Sequence, residues 1–163
     1  SGGIGAAALR PDLDVWAVEK NSSRLRDMEE NRRACGVTNY HIIGGDISEK
    51  ISSLPNPSRV FIGGGGRDIA GILKAALLRL APGGLAVVSA VTMETVAALT
   101  GLFPRLRLSA VSLSVSEERD FGPNLHMMAP EHQVYLFSYR APEPGSITPA
   151  APLGGAEKNE ERS

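Results

Sequence analysis

Apolar and polar positions along this chain change period several times, and each change marks an element. Asp14 to Glu19 alternates Val15 and Ala17 with Trp16 and Val18 in a short, β-branched run, which predicts a strand. Asn21 and Ser22 are capping residues, and Arg24 to Cys35 is helix-forming and stops at Gly36, a natural residue just past a helix end. Tyr40 to Ile43 reads as a second strand, ended by Gly44-Gly45-Asp46, and Arg59 to Ile62 as a third that runs into Gly63-Gly64-Gly65-Gly66. Asp68 is expected to cap a helix whose Ile69, Ile72, Leu73, Ala76, Leu77 and Leu80 fall at helical spacing. After the stop at Pro82-Gly83-Gly84, Leu85 to Ala90 is continuously apolar, as in a strand buried on both faces. Met93 to Leu102 predicts a short helix.

The rhythm then changes. Arg107 to Ser116 alternates Val111, Leu113 and Val115 with serines, which predicts a half-buried strand, and Gln133 to Tyr139 predicts another after a loop from Glu117 to His132. Two strands without a helix between them imply an antiparallel pair closing a parallel sheet. The fold class is therefore α/β. Residues 142–163, with four prolines, three glycines and a charged end, are expected to be a disordered tail, leaving 1–141 as the domain. Ser1-Gly2-Gly3-Ile4-Gly5 leads into Ala6-Ala7-Ala8-Leu9 as a glycine-rich turn would lead into a helix. Such a turn normally follows a buried strand, so the start reads as a truncation inside a motif, with the first strand missing.

Composition narrows the function classes. In 163 residues, 17 Lys+Arg and 18 Asp+Glu leave a net charge of −1, which provides no global field to hold a nucleic acid. No run of 18 apolar residues predicts a membrane span, and a single cysteine, Cys35, suits a reducing, cytoplasmic setting.

Candidate chemistry collects at predicted strand ends: Gly2, Gly3 and Gly5, then Glu19, then Gly45-Asp46. In an open α/β sheet these loops form the ligand crevice. Glycines there admit a ligand to the backbone, and a carboxylate after the next strand can accept both hydroxyls of a ribose. Asp46 is suited to accept from an adenine amine. S-adenosylmethionine and NAD both fit such a crevice; the Gly45-Asp46 pair and the terminal antiparallel strands favour the former. The four glycines from Gly63 form a second cluster, where bare backbone could approach a large flat ligand.

These segments, together with Val60-Phe61-Ile62-Gly63-Gly64-Gly65-Gly66, Leu80-Ala81-Pro82-Gly83-Gly84 and Val88-Ser89-Ala90-Val91-Thr92-Met93-Glu94-Thr95, resemble the decarboxylating precorrin methyltransferases of cobalamin biosynthesis. The resemblance runs from residue 1 to about 140. It implies a Rossmann-like class I methyltransferase sheet, mostly parallel with an antiparallel edge strand. It also implies methyl transfer from S-adenosylmethionine to carbon 15 of a precorrin macrocycle, with loss of carbon dioxide from the ring C acetate. Gly2, Gly3, Gly5, Glu19, Asp46, Ile47 and Gly63 then fall on the cofactor side. Gly64, Gly65, Arg67, Thr92, Glu94 and His126 fall on the substrate side, with no catalytic residue and no metal assigned. The implied partners are the tetrapyrrole, a further copy of the chain, and a fused or separate C5-methyltransferase. Arg119 is a second candidate for the macrocycle's carboxylates. His41 and His132 read as structural, and Cys35 as a small packing residue.

Overall fold

The computed structural model describes residues 2–63 and 68–143. The expectations placed on Gly64, Gly65, Gly66 and Arg67, and on the tail from residue 144, lie outside the described residues. The chain divides between Asn56 and Pro57 into two units.

The first unit runs α1 (Gly2–Leu9), β1 (Val15–Glu19), α2 (Ser22–Ala34), β2 (Tyr40–Gly44) and α3 (Ile47–Lys50), followed by a 3-10 turn over Ile51–Ser53. β1 and β2 pair in parallel, with Val15 opposite Tyr40 and Glu19 opposite Gly44. Parallel pairing needs a crossover, and α2 supplies it. Its start is built as the sequence predicts: the Asn21 side-chain oxygen accepts from the amides of Ser23 and Arg24. Its end turns through Gly36 at φ +63. The core is small: Ile4, Ala7 and Tyr40 are buried, with Val15, Ala17, Met28, Val37 and Ile42 packed around them. Asn39 adds a polar fastening that the sequence pattern does not announce. Its amide nitrogen reaches the carbonyls of Ala7 at 3.1 Å, Arg10 at 3.1 Å and Leu13 at 2.7 Å, which ties the end of α1 and the segment after it to the start of β2.

The second unit contains β3 (Arg59–Gly63), α4 (Ile69–Arg79), β4 (Leu85–Ala90), α5 (Met93–Gly101), β5 (Arg107–Leu113), β6 (Ser116–Gly122), β7 (Leu125–Pro130) and β8 (Val134–Arg140). Its main sheet has the order β3-β4-β8-β5, and β6 with β7 forms a separate two-stranded sheet. β3 and β4 are parallel, whereas β8 runs antiparallel to both β4 and β5. The reversed strand is present, then, but one place in from the border, which β5 occupies.

One face of this sheet meets α4 and α5. Ile62, Ala86, Val88, Ala90, Phe137 and Tyr139 from the strands pack with Ile69, Leu73, Ala76 and Leu77 of α4 and Leu99 of α5. Tyr139 reaches across this layer with a polar group: its hydroxyl donates to the Leu99 carbonyl at 3.1 Å. Burial pushes that hydroxyl up to about 12.

Four expectations need correction. Leu85 to Ala90 is not buried on both faces; Ala86, Val88 and Ala90 are buried, while Leu85, Val87 and Ser89 on the other face are half-buried. Arg107 to Ser116 is not half-buried. β5 ends at Leu113, and beyond Arg107 it is exposed, because the α4–α5 layer packs on β3, β4 and β8 and leaves the border strand outside the core cluster. Residues 117–132 are not a loop but mostly the β6–β7 hairpin, with Glu117 opposite Ala129 and Arg119 opposite Met127. Pro123 and Asn124 between them, with Asn124 at φ +59, form a turn signal that the run of charges in β6 obscured. Cys35 does not pack; it is exposed at the end of α2.

Two outcomes follow from this core. Leu77→Ala removes a fully buried side chain between α4 and the sheet, and urea unfolding is expected to show a loss of about 2–5 kcal/mol. Because the Tyr139 pKa is raised on folding, its contribution is fully present below the usual value of 10.0 and is lost as pH rises through about 12. Stability measured against pH in that window should therefore fall more steeply for the parent than for Tyr139→Phe; equal slopes would remove the assignment.

Candidate functional site

Three of the candidate cofactor residues of the first unit, Glu19, Asp46 and Ile47, lie at one end of its two strands. Glu19 is the last residue of β1, and its backbone carbonyl accepts from the Gly45 amide at 3.0 Å, just beyond β2. The Glu19 side chain is mostly covered. Its Oε1 accepts from the Asn21 amide at 2.9 Å, and its Oε2 lies 3.7 Å from an Arg24 guanidinium nitrogen. Asp46 caps α3: Oδ1 accepts from the Ser48 amide at 3.0 Å and from the Ser48 hydroxyl at 2.8 Å. Its Oδ2 lies 3.7 Å from Lys20 Nζ. The bond from the Ser48 amide, then that from the Ser48 hydroxyl, holds this carboxyl below its ordinary range, with a smaller contribution from Lys20. Ile47 follows as the first residue of α3 and is half-buried.

Gly45 between these acids is required by backbone geometry. Its φ of +136 is open to glycine and strained for other residues, and a Cβ there would stand 2.6 Å from Lys50 Cε. Lys50 thus lies across the backbone where β2 turns into α3.

The opening glycines are not a turn ahead of a helix. Gly2, Gly3 and Gly5 lie inside α1. Gly3 has a packing reason, since a Cβ there would meet the Tyr40 ring at 2.8 Å, whereas Gly2 and Gly5 face open space. The helix forms through them because Ala6, Ala7, Ala8 and Leu9 are strong helix formers, and buried Ile4 and Ala7 anchor one side.

In the second unit, Gly63 ends β3 opposite Ser89 of β4, so Gly63 and the Thr92 turn lie at the same end of two parallel strands. Thr92 caps α5, its hydroxyl oxygen accepting from the Thr95 amide at 3.3 Å, and Glu94 stands in the first turn, where a negative charge suits the helix dipole. Asp68 stands at the cap position of α4 without a side-chain capping bond, contrary to expectation. Its carboxylate lies instead over Gly71, where a Cβ would be 2.6 Å from Oδ1.

His126 lies on β7 of the hairpin. Its Nδ1 is 3.2 Å from a Glu118 oxygen and 3.1 Å from an Asp120 oxygen, so its neighbours are already anions. Arg119 pairs with Glu131. His41 is stacked on Trp16 with ring centroids 4.4 Å apart, and its Nε2 is 2.9 Å from Asp14. It is a surface fastening of β1 to β2. Among the described residues no cluster of histidine, cysteine and acidic groups could hold a metal ion, and no helix is long and apolar enough to cross a membrane.

The family described as "Precorrin methyltransferase domain" matches residues 1–141. The chain belongs to that family. It is 30% identical over 143 residues to the cobalt-precorrin-6B C(15)-methyltransferase (decarboxylating) of Salmonella typhimurium, covering 86% of this chain and 73% of that protein. It is 29% identical over 124 residues to the precorrin-6Y C(5,15)-methyltransferase of a Sinorhizobium species, of whose length it spans 30%. Among solved structures, the precorrin-6y C5,15-methyltransferase of Geobacter metallireducens is similar, with a TM-score of 0.78, 27% identity, and coverage of 86% of this chain and 74% of that one. The precorrin methyltransferase fold read from the sequence is thus the observed one.

The three kinds of glycine are separable by substitution. Gly45→Ala is expected to cost about 1–3 kcal/mol of backbone strain, and Gly3→Ala to destabilise through Tyr40. Gly5→Ala, in open space on a helix, should raise stability by about 0.5–1 kcal/mol. Urea unfolding of the three variants checks the order; a stable Gly45→Ala would contradict the turn described above.

Proposed function

We propose that this chain transfers a methyl group from S-adenosylmethionine to carbon 15 of a precorrin macrocycle, with decarboxylation of the ring C acetate. The observation that carries the reading is the pair Glu19 and Asp46. They lie at or just beyond the ends of adjacent parallel strands, in a chain of a methyltransferase family, and each keeps one oxygen bound to backbone and has the other 3.7 Å from an exposed cation.

That donor set fits an adenosine group. A carboxylate with one oxygen pinned and one presented accepts neutral hydroxyls without rearranging, and the cost of ordering it has already been met on folding. Glu19 would take the ribose, Asp46 the adenine amine, and half-buried Ile47 the adenine face. Gly2 and Gly5, with nothing beside their backbone, leave room for the methionine portion. When bound, S-adenosylmethionine supplies an electrophilic methyl group on sulfur.

On the substrate side the reading uses Thr92 and Glu94, in the turn and helix start that follow β4. Their work is to orient an electron-rich macrocycle carbon and to keep water away; alignment of this kind can supply a large part of a rate enhancement without an acid–base triad. His126 would need to give up Glu118 and Asp120 to receive a substrate carboxylate, so we assign it the lesser part. Only the carbon 15 step is assigned to these residues; methylation at carbon 5 is left to a fused or separate partner.

Calorimetric titration tests the cofactor half. S-adenosylhomocysteine should bind and NAD should not, and Glu19→Ala should weaken binding by about 1.5–3 kcal/mol. Binding of NAD in preference, or an unchanged affinity in Glu19→Ala, would overturn the assignment. Release of labelled carbon dioxide from the ring C acetate of a precorrin, dependent on S-adenosylmethionine, tests the reaction itself.

A further inference from the structure

The two acids of the first unit are arranged alike in a way their binding role does not by itself require. Each has one oxygen held at hydrogen-bond distance by its own turn, Asn21 for Glu19 and Ser48 for Asp46. Each has its other oxygen 3.7 Å from a cation on a long side chain, Arg24 for Glu19 and Lys20 for Asp46. That separation is too long for a hydrogen bond and short enough for an ion pair, so charge alone holds the two heads there. The cations are fastened to little else: their side chains are 72% and 76% exposed. Both come from the same corner, Lys20 directly after β1 and Arg24 in the first turn of α2.

We propose that Arg24 and Lys20 are positioning residues that hold the ligand-facing oxygens of Glu19 and Asp46 until an adenosine group replaces them. This rests on the cofactor reading given above. Oε1 accepts one hydrogen bond and Oδ1 two within their turns, which leaves Oε2 and Oδ2 as the oxygens with the most room for a ligand donor. Such a donor must come to within about 2.8 Å, closer than either cation stands. Donors that arrive along the lines now taken by the cations send the charged heads into solvent, and the carboxylates, held by their other oxygens, keep their orientation throughout. Binding then includes the breaking of two exposed ion pairs, each small and each weakened by salt.

The sign of the salt effect follows. S-adenosylhomocysteine carries no net charge at pH 7, so salt does not act on its approach. Salt screens the pairs that must be broken, and affinity should rise with ionic strength, which is opposite to the usual loss when a ligand binds through charge.

The experiment is calorimetric titration of S-adenosylhomocysteine into the whole chain, Arg24→Gln, Lys20→Gln and Arg24→Lys, each at about 20 mM and about 300 mM salt. The expected result is affinity rising by about two- to fivefold with salt in the parent and in Arg24→Lys. Arg24→Gln and Lys20→Gln should bind more tightly than the parent at low salt, with a flatter response. A structural role for Arg24 would move affinity without flattening its salt dependence. Variants that bind like the parent at both salts, or more weakly at low salt, would overturn the proposal and leave the cofactor site intact. No binding by the parent at either salt would overturn the cofactor reading itself, and this inference with it.

Discussion

Parallel pairing of successive strands is the constraint from which most else follows. A parallel partner cannot be reached by a tight turn, so the chain must climb back across a sheet face, and it does so as α2 between β1 and β2 and as α4 between β3 and β4. Each climb collects the following turns at the carboxyl ends of the strands. In the first unit this brings Glu19 to the level of Gly44 and sets Asp46 just beyond. In the second it sets Gly63 level with Ser89 and the Thr92 turn. Side chains distant in sequence become neighbours because the backbone has no other economical way to satisfy its hydrogen bonds.

Each of these turns uses its acids or hydroxyls to complete its own backbone. Asn21, Asp46 and Thr92 all accept from amides at the start of a helix. For Asp46 this structural duty does not compete with a binding one, since a carboxylate has two oxygens and the cap engages one. The same economy operates at Glu19 through the Asn21 amide. Fixing one oxygen of each of these two acids is thus a by-product of how the turns after β1 and β2 are closed.

Much of this was legible in the sequence where pattern and chemistry agree. β1, α2, β2, β3, α4, β4 and α5 follow from periodicity and caps, and the glycines and acids after the strands place Glu19 and Asp46 at strand ends. What was not legible has identifiable causes. The glycines at the start sit in α1 because alanines beyond them and the buried Ile4 outweigh their local cost, and one of them is there for Tyr40. The hairpin was hidden because the middle of β6, Glu117 to Asp120, is a run of four charges with no alternation to read, and the strand is held by partners in β7. Asn39 looks like a loop residue and is a fastening for three carbonyls. Burial along β5 depended on how far the helical layer extends, and nothing within the strand records that.

The place of β8 has a consequence for how the chain is made. Synthesis delivers β3, β4 and β5 first, yet the strand that hydrogen-bonds to both β4 and β5 is β8, Val134–Arg140, the last of the described strands. Until it emerges, two sheet edges stand open and the face that Phe137 and Tyr139 will cover is wet. The second unit therefore cannot close progressively from its amino end. Only with β8 in place between them are β4 and β5 joined in one sheet.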